Sequence, residues 1–238
     1  MNFLTESHRF AEIILENDPQ FSSDWKQVKN VIKSIYDGDI IRAFNKISKG
    51  KDKSISIALN ALFRERFIAL GWNNQPYIFQ APHLQTDSTW RLDFAKSGTI
   101  AIEVAYNHGE AVSWNLIKPV LASNINLMTR QTVTQIGIVI TATKDLKKVG
   151  GFDGVVGPYE KYVQYLKPME FQLTAPLNII GLLPPRTFKI EHYQIPGIRK
   201  KLGRVKLIVN FKKNPSGSFS IRNKGGTYKG RIYCYNKY

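Results

Sequence analysis

The sequence predicts an α/β fold: a central mixed β-sheet flanked by helices, with a basic β-rich subdomain at the C-terminal end. Three observations lead there. Residues 136–141 and 177–183 are continuous apolar β runs, as expected of strands covered on both faces. Segments of helical periodicity precede and separate them, so helices and strands alternate. Residues 90–94 and 99–106 form a short strand pair across Lys96-Ser97-Gly98, which supplies an antiparallel hairpin.

In chain order, residues 6–49 read as helical, because Phe10, Ile13, Ile14 and then Val28, Val31, Ile32, Ile35 recur at three- and four-residue steps. Asp18-Pro19 breaks this region. Residues 54–70 form a second helical region, closed by Gly71 as a C-cap. Residues 73–88, with Pro76 and Pro82, read as irregular or edge strand. After the hairpin, residues 111–127 are one helix kinked at Pro119, or two helices with Pro119 opening the second. Residues 159–166 are helical. The tail reads as strands over 206–212, 218–222 and 228–235, with turns at 214–217 and 223–226. No internal repeat or low-complexity segment occurs. The expected organisation is a core over residues 1–185 and a basic β-rich extension of the same domain over 186–238.

The 238 residues are 43% hydrophobic and 22% charged, which excludes wholesale disorder. The single cysteine, Cys234, excludes an intramolecular disulfide framework and a cysteine-based zinc site, and reads as structural. The first residues lack the basic start and apolar run of a signal peptide. No apolar run approaches the about 18 residues of a membrane span. The expectation is a soluble, cytoplasmic protein without a membrane partner.

Charge narrows the partner. There are 34 Lys and Arg against 18 acids, a net +16. Residues 186–238 carry 14 bases and one acid, Glu191, or +13, whereas residues 1–185 carry only +3. A basic last quarter attracts polyanions, and each phosphate it neutralises adds salt-dependent affinity. Nucleic acid is the favoured partner. A solvated basic face and an anionic membrane surface are the alternatives.

The chemistry concentrates on the hairpin. Asp93 sits between Leu92 and Phe94, and Glu103 is the only charge in the run 100–106. If the strands pair, the two carboxylates meet on one side of the sheet. Two such groups repel, and a divalent cation relieves the repulsion. Mg²⁺ suits hard carboxylate oxygens, and polarises a phosphodiester. Glu65 is a third candidate, with Ala58, Ala61, Ile68 and Ala69 as its angular neighbours on a helix. A carboxylate on such a stripe needs a partner or a metal; a surface ion pair with a nearby arginine is the alternative. No P-loop, dinucleotide-binding glycine pattern, HExxH or Gly-x-Ser-x-Gly occurs.

Asp93 followed by Glu103 on a hairpin resembles the core of the PD-(D/E)XK nucleases. The wider order is Glu103-Val104-Ala105-Tyr106, a helix, Ile136-Gly137-Ile138-Val139-Ile140, Tyr159-Glu160-Lys161-Tyr162 and Ala175-Pro176-Leu177-Asn178-Ile179-Ile180. Over residues 59–183 it is similar to the BglII, BstYI and BamHI group of type II restriction endonucleases. The resemblance implies a restriction-endonuclease-like fold and a homodimer that cuts double-stranded DNA at a short palindromic site with Mg²⁺. On it, Asp93, Glu103 and Glu65 take catalytic, metal-binding roles. The helix start after the glutamate strand faces DNA, which implies contacts from Asn107, His108, Ser113 and Lys118. Arg199, Lys200, Lys201 and Arg204 of the basic tail would track phosphates. One position departs from the pattern. Ala105 stands where the group usually has Lys, Glu or Gln, and alanine can neither bind a metal nor hold a water. Glu65, His108, Glu110 and Lys96 are candidates to replace it. The rival readings are a non-catalytic DNA-binding protein on a nuclease fold, a structure-directed repair nuclease and, more weakly, an RNA-binding protein.

Overall fold

The computed structural model describes residues 1–123, 129, 131–197 and 199–208 with their side chains, and beyond them the backbone of three short strands. β1 (Phe3–His8) leads to α1 (Ala11–Asn17), α2 (Pro19–Ser34), α3 (Asp37–Ser48) and α4 (Ser56–Ala69). β2 (Asn73–Asn74), α5 (Pro82–Gln85), β3 (Phe94–Lys96), β4 (Ile100–Ala105) and α6 (Val112–Leu121) follow. Then come β5 (Ile136–Ala142), α7 (Lys144–Val149), α8 (Tyr159–Leu166) and β6 (Leu177–Leu182). The last elements are β7 (Phe188–Tyr193), β8 (Leu202–Leu207), β9 (Phe211–Lys213), β10 (Phe219–Asn223) and β11 (Gly226–Tyr228).

Six strands form the expected central mixed sheet, in the order β1-β6-β5-β4-β3-β2. β4, β5 and β6 are parallel; β1, β3 and β2 are antiparallel to their neighbours. Every residue of β5 and β6 is buried, the reason these strands read as unbroken apolar runs. One face, with Ile100, Ile102, Ile138, Ile140 and Ile180, packs against α1–α4. The opposite face, with Ala105, Val139 and Ile179, packs against α6 and α8. Among the described residues, no helix is long and apolar enough to cross a membrane.

The breaks at Asp18-Pro19 and Gly71 occur as expected. Asp18 accepts the Gln20 N–H at 2.9 Å and caps α2, with Pro19 in its first turn. Gly71 takes a φ of 74° after α4. Pro119 lies inside α6, near its end.

Four expectations are corrected. Residue 6 is in a strand, not a helix: Arg9 and Phe10 take positive φ of 52° and 57°, and α1 starts only at Ala11. The buried side of α1 is Ala11 and Leu15, while Phe10 and Ile13 are 74% and 61% exposed, so the apolar spacing ran across a turn. Residues 90–93 are not a strand; of the expected span only Phe94 is, as the first residue of β3. Ser88–Trp90 is a 3₁₀ turn, and Asp93 lies just ahead of β3. The tail strands begin earlier, because β7 and β8 form an antiparallel pair that buries Phe188 and Ile190 in the core. The strand expected over 206–212 is divided between the end of β8 and β9. Cys234 and the turn at 214–217 fall outside the described residues.

On its α6 face the sheet admits the helix through a glycine. Gly137 is the tightest point: a Cβ there would fall on Leu177 and lie 2.5 Å from Pro119 Cβ. The missing side chain lets α6 lie directly on β5. Gly137→Ala is expected to cost about 1–3 kcal/mol by overpacking, read as a lower urea midpoint at unchanged slope.

Candidate active site

The site grows out of the β3–β4 pairing. Phe94 lies opposite Ile102, so one step further along the register Asp93 faces Glu103 across the pair. Side chains alternate along strands, which turns both carboxylates toward the α6 side. The Val104 N–H donates to Asp93 Oδ2 at 2.7 Å and fixes that carboxylate.

Glu103 is 2% exposed. Burial, with the adjacent Asp93 charge second, pushes its carboxyl up to about 8, although the Lys118 ammonium pulls the other way. Asp93 is also raised by burial, against the Val104 N–H and Lys118. Lys118 Nζ lies 2.5 Å from Glu103 Oε2 and donates to the Arg91 carbonyl at 3.1 Å. The other oxygen, Glu103 Oε1, is buried with no hydrogen-bond partner. Beside the pair the Tyr106 hydroxyl is likewise buried without a partner, and burial together with the Asp93 charge keeps it protonated.

Two hard carboxylates, both pushed toward protonation, with one oxygen orphaned, fit a divalent cation. The single Lys118 ammonium is too little positive charge to let both ionise, and Mg²⁺ takes one or two carboxylates with waters completing its shell.

Lys118 is a correction. Expected on the outer side of the helix start, it is turned instead into the acid pair, its side chain 13% exposed. The close seat of Pro119 on Gly137 holds this end of α6 against the sheet. Trp114 of α6 meets Trp90 edge-on at 5.2 Å, tying the helix to the segment that carries Asp93. A charge on that side of the helix can stay only beside an opposite one.

Glu65 is not brought to the pair. It is exposed on α4, and only the Ala58 end of its expected apolar stripe is buried: Ala61 is half-buried, Ile68 is 47% exposed and Ala69 is exposed. The cost of burial that motivated a metal role is therefore absent. Among the described residues, no three His, Cys, Asp or Glu side chains gather to hold a metal ion. Lys96 donates instead to the Leu70 carbonyl at 3.3 Å.

Asn107 and His108 are exposed in the loop after β4, and Ser113 is half-buried in the first turn of α6. Asn115 Nδ2 donates to Asn107 Oδ1 at 2.8 Å and to the buried Tyr162 hydroxyl at 2.7 Å. The loop is also strapped to residues 155–157 by Gly109 N–H to the Val155 carbonyl (2.6 Å) and Gly157 N–H to the Asn107 carbonyl (3.2 Å). Its exposed side chains therefore stand on a fixed backbone. Arg199, Lys200 and Lys201 are exposed. Arg204 and Lys206 share Glu191 at 2.7 Å each, and their hydrogen bonds pull that carboxyl down to about 2. Arg204 is thus partly neutralised within its own hairpin.

The sequence model of the family described as Endonuc-BglII, restriction endonuclease BglII/BglIII, matches residues 3–182. Among solved structures, restriction endonuclease BglII complexed with a DNA 16-mer superposes with a TM-score of 0.58 at 16% identity, covering 87% of this chain and 100% of that one. Free BglII superposes with a TM-score of 0.51 at 14% identity, covering 93% and 100%. No curated protein matches the sequence.

Proposed function

Since the chain belongs to the BglII/BglIII restriction endonuclease family and is a site-specific deoxyribonuclease, we propose that it is a type II enzyme that hydrolyses both strands of DNA at a short palindromic site with Mg²⁺. The observation that carries this reading is Asp93 set beside the buried Glu103 with its orphaned oxygen. Asp93 and Glu103 would hold the ion. When bound, Mg²⁺ supplies a polarised phosphate and a bound water of lowered pKa. Val104 fixes Asp93 through its N–H, so that carboxylate meets the ion without reorganising. The burial of Glu103, 2% exposed, keeps bulk water away, which strengthens every charge interaction at the scissile bond.

Asn107, His108 and Ser113, at and before the start of α6, are proposed to meet DNA on a backbone strapped in place. Residues 186–238 are proposed as the basic extension that follows the phosphates, through Arg199, Lys200 and Lys201; Arg204 contributes less because Glu191 already holds it. A homodimer would match the twofold symmetry of a palindrome.

Digestion of plasmid DNA tests the reading. Discrete fragments in Mg²⁺, suppressed by EDTA and carrying one common end sequence, are expected. A smear, or intact plasmid in Mg²⁺, would overturn it. Ala105 favours one other reading, a DNA-binding protein that no longer cuts; it requires a metal-independent gel shift without nicking.

A further inference from the structure

We propose that Lys118 is a third catalytic residue, donating from Nζ to a non-bridging oxygen of the scissile phosphate. The assignment rests on the nuclease reading above, and it begins from an oddity of position. Lysine is rarely drawn inward unless paired, and the Lys118 side chain is only 13% exposed on the α6 face of the sheet, 2.5 Å from Glu103 Oε2. Neutralising Glu103 accounts for part of this. It leaves open why an acid and a base should be buried together, since an apolar pair of similar volume is often no less stable.

The charge count supplies a reason. Asp93 and Glu103 ionised carry −2, and Lys118 brings the cluster to −1. A divalent cation then makes it +1, the complement of one phosphodiester. Without Lys118 the loaded cluster is neutral and has no net attraction for the negative charge that grows at phosphorus as the water oxygen bonds to it and the bond to the 3′-oxygen breaks. Positive charge aimed at that point is worth most where water is excluded. No bond to Lys118 forms or breaks; it lends hydrogen bonds and charge.

The neighbours leave this task to Lys118. Ala105, two residues after Glu103 on the same face of β4, offers only a methyl group and is packed with Val112 and Leu116. The Arg91 guanidinium lies over the Tyr77 ring, 4.1 Å from its centroid. An ammonium has three donors. Lys118 directs them at Glu103 Oε2 and the Arg91 carbonyl, which leaves one for an anionic oxygen. The Arg91 contact keeps the head in place while Glu103 changes partner. The helix that carries it is seated by Pro119 on Gly137, so a side chain from α6 reaches a point that β4 does not serve.

The test compares wild type, Lys118→Met and Lys118→Arg by single-turnover cleavage of plasmid DNA at saturating Mg²⁺, and by Mg²⁺ affinity without DNA. Lys118→Met is expected to cleave about 10²–10³-fold more slowly, while binding Mg²⁺ as tightly as wild type or more so, because a cation competing for Glu103 is gone. Lys118→Arg is expected to recover part of the rate. Should the methionine variant fail to fold, Lys118→Gln takes its place. Lys118→Met cleavage within about threefold of wild type would overturn the assignment. So would a loss fully restored by more Mg²⁺, which would make Lys118 only an aid to metal holding. A wild-type chain that leaves plasmid intact would instead overturn the nuclease reading and this assignment with it.

Discussion

Asp93→Asn and Glu103→Ala are each expected to slow DNA cleavage by about 10³-fold or more at saturating Mg²⁺, while moving the stability of the metal-free protein in opposite directions. The cleavage loss follows from a site with two carboxylates for one divalent ion: removing either halves the hard donor set. The stability effects follow from the partners each acid has. Asn at 93 keeps an oxygen to accept the Val104 N–H, now at 2.7 Å, but removes the charge that raises Glu103. The metal-free protein should then melt a few degrees higher, the usual exchange between stability and function at a site of like charges. Ala at 103 strands Lys118, whose ammonium is 2.5 Å from the deleted carboxylate. Measured above about pH 8, where Glu103 is ionised in the fold, losing one partner of this mostly buried pair is expected to cost about 3–5 kcal/mol, or roughly 10 °C for a chain of this size. Cleavage assays and thermal melts on the same preparations check both halves. A Glu103→Ala protein as stable as wild type would mean that the ion pair is not formed in solution.

The parts legible in the sequence are those whose signal is local. β5 and β6 are buried on both faces, so their composition alone announced them. Asp93 and Glu103 stood out because each is an acid among apolar neighbours around a hairpin. The illegible parts depend on rotation and long-range packing. β1 exposes alternate residues at the sheet edge and runs into α1 through two positive-φ residues, so the Phe10, Ile13, Ile14 spacing gave no sign of the break that separates residue 6 from the helix. α4 carries apolar residues all round, and a helix of that kind gives no clue to its phase; α2 and α3 set it, and Glu65 faces outward. The place of Lys118 beside Glu103 was hidden for a related reason. Its direction is decided by the contact of Pro119 with Gly137, across a gap in sequence that no helical period reports. One local clue was available: a lone acid within the run 100–106 implied a buried cation from elsewhere in the chain.

The metal-free protein should lose thermal stability as pH rises from about 5 to 8, and Mg²⁺ should return more of it at pH 8 than at pH 5. Glu103 titrates at about 8 in the fold, against 4.5 when unperturbed. Between those values the folded chain keeps a proton that the unfolded chain has released, so stability falls with increasing pH across that window and levels off above about 8. Asp93, also raised by burial, adds to the fall in the same direction. A divalent cation binds the ionised carboxylates and competes with the proton, so its stabilising increment grows where protonation is lost. At about 2–4 °C per kcal/mol for a chain this long, a fall of several degrees is expected in EDTA. Glu103→Gln should flatten the slope and shrink the Mg²⁺ increment together, because one carboxyl carries both. Melting curves at four or five pH values, with EDTA and with Mg²⁺, measure this without any DNA, so the result bears on the buried pair independently of cleavage. A melting temperature that rises across the window in EDTA, or a Mg²⁺ increment equal at both ends of it, would show that Glu103 is already ionised in the folded protein and that Lys118 alone balances it.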